Sequence, residues 1–429
     1  MQLSLIAKGR QLITVFVILF GCFHTNELVY FFRLKHCHTF LSQSKAIQKQ
    51  CGVPMLKFVV VFCSLVVFLF DTTVALPRFA SRTGAKCQSC HVNPAGGGMR
   101  QAFGQQYGRE TLPVPTWSED FSLDDFSTKL TEVVSVGADF RTLFYVQQIP
   151  DTAGGRTGTA STSNNAFWQM QGDVYLNFRL AKKINIYLDK GIYSGFEIFG
   201  LLNILPGNGY IKVGKFVPNY GTKIDDHRTL IREVTGFSAE RGRAELTGAE
   251  VGFNAGQVNI MGGVFNARDG FGAGVGDKKA FLGRVDGMFK LNEDATATLG
   301  LGGNVFSTKD PAGNRTTLFG GMGSFSYRDF TLMGEVDWVR NTITGNTITG
   351  IVSYIEADFM ATPGVDFKAM YEFADPNVDL KTGSISRIGI GLEFFPISGV
   401  EVRPLYRFNM EDPGNISNDE FNLLIHFYL

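Results

Sequence analysis

Five consecutive residues carry the most specific chemistry in this 429-residue chain: Cys87-Gln-Ser-Cys90-His91. Two thiols three residues apart can each add to a vinyl group of one porphyrin, and the histidine that follows then lies against the iron. The spacing predicts one covalent haem c, with Cys87 and Cys90 as thioether anchors and His91 as axial ligand. Three other chemistries compete for such a pair. A zinc ribbon needs a second pair of ligands, and no cysteine follows Cys90. A thioredoxin-like dithiol belongs beside a βαβ pattern, which is absent here. A plain disulfide has no use for the histidine. For the second axial position the candidates are Met99, His227 and His426, the two histidines being the only ones after His91. An open or water-bound position is the alternative.

The motif needs export, because covalent c-type attachment in bacteria occurs outside the cytoplasm. Residues 1–75 read as a leader. Within it Met55-Leu-Lys opens an apolar run at 58–70, and Thr73-Val-Ala75 supplies small residues before a cut after Ala75. A positive charge, an apolar core and a small-residue exit predict a signal peptide over 55–75. The run is shorter than the roughly 20 residues a spanning helix needs. A second apolar stretch at 12–23 has no reading, and Met55 as the true first residue is one account of it. Four of the six cysteines (Cys22, Cys37, Cys51, Cys63) fall in this leader.

Around the motif, residues 76–118 form a segment too short to bury much core by itself. The haem, and a wall for it to lean on, must supply that burial. Gly96, Gly97 and Gly98 allow a sharp turn or a close approach to a porphyrin. Pro113 and Pro115 mark a linker.

From about Lys129 onward the pattern changes to period two, and residues 119–429 read as the barrel. Val365, Phe367, Ala369, Tyr371 and Phe373 alternate with Asp366, Lys368, Met370 and Glu372, and residues 421–429 do the same. Sixteen such strands can be counted, the first near 129–148 and the second near 166–180. Connections after even-numbered strands are short. Those after odd-numbered strands are usually longer, notably 149–165, 219–245 and 267–279. Short turns on one side, long loops on the other and alternating strands of about ten residues predict an all-β, transmembrane antiparallel barrel of about 16 strands. A soluble sandwich of this length is unusual, and no repeat of propeller length is present. The 39 phenylalanines and 50 glycines suit twisted, tightly turned strands. With 40 basic and 40 acidic side chains nothing would neutralise a phosphate backbone, so no nucleic-acid partner is expected. At 44% apolar and 19% charged the chain is not disordered overall. The loop 219–245, with Asp225-Asp-His227-Arg and Arg241-Gly-Arg243, can fold inward as a constriction or stand out as a lip. By strand parity His426 points into the lumen.

In this order of parts the chain resembles the fused monohaem cytochrome–porins of bacterial outer membranes, which include iron-oxidising proteins. The likeness rests on Pro77-Arg-Phe79-Ala80, on the motif from Cys87 to His91, and more loosely on the porin-like strand segment beginning at Gly209. The Asn93-Pro-Ala-Gly-Gly-Gly98 run is not part of it. The order of parts starts the haem segment on the periplasmic side of an outer-membrane barrel, and electron transfer across an apolar band about 25 Å tall predicts that residues 76–118 plug its lumen. The resemblance implies oxidation of extracellular Fe(II), with electrons passed to a periplasmic cytochrome or other carrier. Outer-membrane lipid is the other partner. Two further functions fit the same residues: a solute porin with a haem-domain plug, and a haem enzyme or sensor with an open iron site.

Overall fold

The computed structural model describes residues 78–118, 127–150, 160–192, 195–237, 244–267, 278–294, 296–414, 416 and 418–429. The predicted leader and signal peptide lie outside them. Sixteen strands form one closed antiparallel barrel. They are β1 (Val134–Pro150), β2 (Ala160–Ala181), β3 (Ile184–Gly191), β4 (Phe196–Leu205), β5 (Gly209–Phe216), β6 (Leu246–Ala255), β7 (Val258–Asn266) and β8 (Lys279–Lys290). The second half comprises β9 (Ala297–Lys309), β10 (Arg315–Tyr327), β11 (Phe330–Ile343), β12 (Asn346–Thr362), β13 (Val365–Asp375), β14 (Ile385–Phe394), β15 (Val400–Glu411) and β16 (Glu420–Tyr428). Closure comes from β1 pairing β16, from Asp139 opposite Tyr428 to Gln147 opposite Glu420. No helix among the described residues is long and apolar enough to cross a membrane.

The two-residue period decides which face meets lipid. Along β13 the apolar Phe367, Ala369 and Tyr371 are exposed, whereas Asp366, Lys368 and Glu372 are buried. This inversion of the soluble pattern marks a barrel whose outside is solvated by hydrocarbon and whose inside is polar. The first hairpin departs from the sequence expectation, since β2 starts at Ala160 instead of near 166. Residues 160–165 are small or polar, so they show no apolar alternation. Backbone pairing with β1 continues there all the same, with Ile149 opposite Thr162. The outward Ile355 on β12 is 47% exposed and lies opposite Gly334 and Tyr371, in the middle of the wall. Ile355→Lys should therefore cost about 2–4 kcal/mol of folding free energy in lipid vesicles. Equilibrium unfolding in urea measures it, and a loss near zero would mean that this face does not meet hydrocarbon.

The lumen is filled from both ends. From the short-turn end, residues 78–118 enter as α1 (Arg78–Thr83), α2 (Cys87–Cys90), α3 (Ala102–Gln106), a π-helical turn at Tyr107–Thr111 and α4 (Pro115–Ser118). Arg78 pairs with Asp358 at 3.3 Å and with Glu393, and Arg82 pairs with Asp366 at 2.6 Å. The backbone of Ser81, Gly108, Arg109 and Val114 is also tied to the wall, through Thr298, Tyr428, Ser398 and Phe395. From the long-loop end, residues 217–237 between β5 and β6 fold inward and carry α5 (Leu230–Thr235). Asp225 reaches Arg141 at 2.8 Å and Arg403 at 3.1 Å, Asp226 pairs with Arg407, and Arg228 reaches Glu420 at 2.8 Å. Of the two expectations for this loop, the inward one holds for the described residues; Arg241 and Arg243 lie outside them. Arg78→Met leaves buried carboxylates short of a cation and should loosen the entering segment by about 3–5 kcal/mol. The expected readout is proteolysis of residues 78–118 with the barrel itself intact on heat-modifiable gel migration. Equal protection in wild type and variant would show that the pair does not hold the segment.

Candidate functional site

The motif lies on α2, one turn of helix closed by the His91 N–H donating to the Cys87 carbonyl at 2.9 Å. The chain then makes a loop and returns, with His91 bridged to Arg100 in antiparallel fashion and the Val92 N–H donating to Met99 O at 3.0 Å. At its tip Gly96, Gly97 and Gly98 have φ of +83°, +76° and +62°. Three left-handed residues in a row are open to glycine and strained for other side chains. The curl aims the Gly98 carbonyl back at His91, whose Nδ1–H donates to it at 3.3 Å. A carbonyl can only accept, so Nδ1 carries the proton and the Nε2 lone pair is left for a metal, the usual arrangement behind a ligating histidine.

Cys87, Cys90 and His91 border one internal cavity of about 360 Å³. Residues of the segment at 78–118 line it, as do Tyr220, Thr222, Lys223, Ile224, Asp225 and His227 of the inward loop. Tyr175 and Tyr187 of the wall, Phe79, Tyr107 and Phe237 give it aromatic surface; Lys86, Arg100, Arg141 and Lys223 give it cations. Burial pushes the Cys87 thiol up to about 12 and raises Cys90, so both are neutral thiols. Burial and the nearby Arg100 push His91 down to about 4, against the pull of Gly98 and Asp139, so its ring is neutral. A haem c would find what it requires here: two reduced cysteines, a neutral imidazole with its lone pair directed by a second partner, flat aromatic walls, and cations for two carboxylates.

The three candidates for the second axial position lie in different places. Met99 is 2% exposed and packs in the lumen core, its N–H donating to Tyr187 Oη at 3.1 Å, and it does not border the cavity. His426 does face inward, but Glu401 occupies its Nδ1 at 2.8 Å and Asp139 its Nε2 at 3.1 Å. His227 borders the cavity together with His91. Its Nε2 accepts from Arg141 Nη1 at 3.2 Å, and burial with Arg141 pushes it down to about 3, so it too is neutral.

The supporting residues were missed from sequence. One side of the inner wall is an aromatic row, Tyr175, Tyr187, Phe199, Phe216 and Phe265, with successive ring centroids 5.0–6.4 Å apart. Strand parity could have found it, since these residues share the inward face of their strands. Asn93 was likewise missed: its side-chain oxygen accepts from Lys212, which is fully buried beside Phe216 and Glu250, 3.3 Å from each acceptor. Asp225, Glu393 and Glu401 cluster closely enough to suggest a cation site. Arg403 contacts all three at 3.1–3.6 Å, which makes the guanidinium their counterion.

No protein-family model matches the chain, and no curated protein matches it. Solved structures similar to it are bacterial outer-membrane barrels. Pseudomonas putida OprB aligns with 69% of this chain and 94% of its own, at 9% identity and a TM-score of 0.51. The anion-selective porin of Comamonas acidovorans aligns with 69% of this chain and 99% of its own, at 13% identity and a TM-score of 0.49. For Vibrio cholerae OmpT the figures are 71%, 100%, 11% and 0.49. At such identity the likeness to OprB is one of fold: a porin-like barrel.

A Cβ at Gly98 would collide with the Tyr187 hydroxyl. Gly98→Ala should therefore break the Met99–Tyr187 hydrogen bond and strain the turn, at a cost above about 1 kcal/mol. Hydrogen exchange at the Met99 amide should become at least several-fold faster, while the amides of β10–β12 keep their protection. Unchanged exchange would mean that the turn is free to relax.

Proposed function

We propose that this protein is an electron conduit of the bacterial outer membrane. In this reading one haem c, bound through Cys87 and Cys90 and ligated by His91, sits within a porin-like barrel. Electrons pass between an extracellular donor and a periplasmic cytochrome or other carrier; ferrous iron is the donor that the cytochrome–porin resemblance suggests. One observation carries the reading: the cysteines and histidine of the motif border a cavity inside the lumen, lined by the segment at 78–118 and the loop at 217–237. A barrel that serves only solutes has no need of a haem-attachment motif there.

When bound, the haem supplies one-electron transfer at iron. The chain's own residues then have separate tasks. Gly98 holds the His91 ring and makes Nε2 a better donor. Tyr175, Tyr187, Tyr220 and Phe237 exclude water and offer flat surface to a porphyrin. Arg100, Arg141 and Lys223 offer charge to propionates. Location inside the lumen also suits distance, since the apolar band of such barrels is about 25 Å tall and a site within it divides that span.

The fold on its own equally suits a solute porin with a plug. Two measurements separate the readings. Purified wild-type protein should carry covalent haem by mass and be nearly silent in planar bilayers, and in intact cells the haem should be reduced when Fe(II) is added outside. His91→Ala should insert as a barrel, lose normally ligated haem and lose reduction by at least tenfold. A large ohmic conductance in the wild type, or electron transfer undiminished in His91→Ala, would overturn the conduit.

A further inference from the structure

We infer that His227, carried into the lumen by the loop between β5 and β6, is the second axial ligand of the haem. The inference deepens the reading above and rests on it.

Of the three side chains that could serve, His227 alone borders the cavity with His91, Cys87 and Cys90. Met99 is engaged in the core cluster, and a carboxylate holds each ring nitrogen of His426. An arginine can only donate, so the contact between Arg141 Nη1 and His227 Nε2 identifies Nε2 as the nitrogen with the lone pair. The ring therefore presents a donor of the kind iron needs, in the tautomer that His91 also adopts. Arg141 does not depend on this contact. It donates to the Asp225 carbonyl at 2.9 Å and to the Asp225 carboxylate at 2.8 Å, so it stays anchored when Nε2 is given up to a metal.

The loop has the rigidity such a ligand requires. Asp225 and Asp226, which precede His227, are held by Arg141, Arg403 and Arg407, and Arg228, which follows, by Glu420 and Asn422. Three wall strands, β1, β15 and β16, thus fix the backbone within two residues of the ring. Iron would then be ligated by His91 from the segment entering at the short-turn end and by His227 from the loop entering at the other. Haem loading would join the two lumen fillings through one metal. Loss of His227 would leave the fifth ligand in place and open the sixth position.

The test is spectroscopic and uses the full-length, haem-loaded protein in detergent. Wild type should be six-coordinate and low-spin in both redox states, with the electron paramagnetic resonance of two imidazoles and without the methionine–iron charge-transfer band of a sulfur ligand. His227→Ala should convert most of the ferric haem to high-spin, bind carbon monoxide when ferrous, and return to low-spin with millimolar imidazole. His227→Met, which keeps a ligand, should stay six-coordinate with a raised potential. Met99→Leu and His426→Gln should keep the wild-type spectrum. A low-spin His227→Ala spectrum without added imidazole, or loss of the low-spin form in Met99→Leu or His426→Gln instead, overturns the assignment. Wild-type protein without covalent haem would sink the conduit itself, and the ligand with it.

Discussion

A charge inside a protein must have a partner, and around Glu393 this rule ties the whole interior together. Its carboxylate pairs with Arg78 from the entering segment, with Lys368 of β13 at 2.7 Å and with Arg403 of β15 at 3.4 Å. Arg403 passes the chain of pairs to Asp225 of the inward loop, and Asp225 passes it to Arg141 of β1. Removing one partner of such a set leaves an uncompensated charge where water is scarce. Segment and loop are therefore counterions of the wall, and the wall's charges are explained by them. In an empty porin the same residues would be solvated by channel water.

The inner wall divides into two arcs, and the cavity lies against β1 to β4, where they meet. Strands β11 to β16 and β1 contribute ionic groups that grip the segment and the loop. Strands β2 to β5 and β7 contribute the aromatic row, and Tyr220 and Phe237 of the loop, stacked 5.0 Å apart, meet Phe306 of β9 edge-on. Tyr175 joins the two chemistries: its ring is in the row and its hydroxyl donates to Asp139 at 2.8 Å, one of the carboxylates that hold His426. A flat, amphipathic cofactor with two carboxylates fits such a division, with its faces toward rings and its edge toward cations.

The same division explains how a segment of about forty residues can be ordered. Its helices are four to six residues long and would not persist alone. The barrel supplies the surface against which they are buried, so the wall performs the task that a domain core performs elsewhere. Phe79, for example, packs edge-on against Tyr107 of its own segment at 5.9 Å and Phe395 of the wall at 6.4 Å.

Local spacing was legible in the sequence. Cys87, Cys90 and His91 stand out by spacing alone, and the proposed attachment to one porphyrin is a demand on neighbours in the chain. The sixteen strands were legible because hydrocarbon outside and polar contacts inside impose a two-residue period, and because turn lengths alternate between the two ends. What spacing could not say was where His227, Met99 and His426 stand relative to the motif. Each is brought near or kept away by strand register, by an inward fold of residues 217–237 and by ion pairs between residues as distant as Arg78 and Glu393. Those are long-range energies, settled only when the barrel closes and every buried charge in its lumen finds a partner.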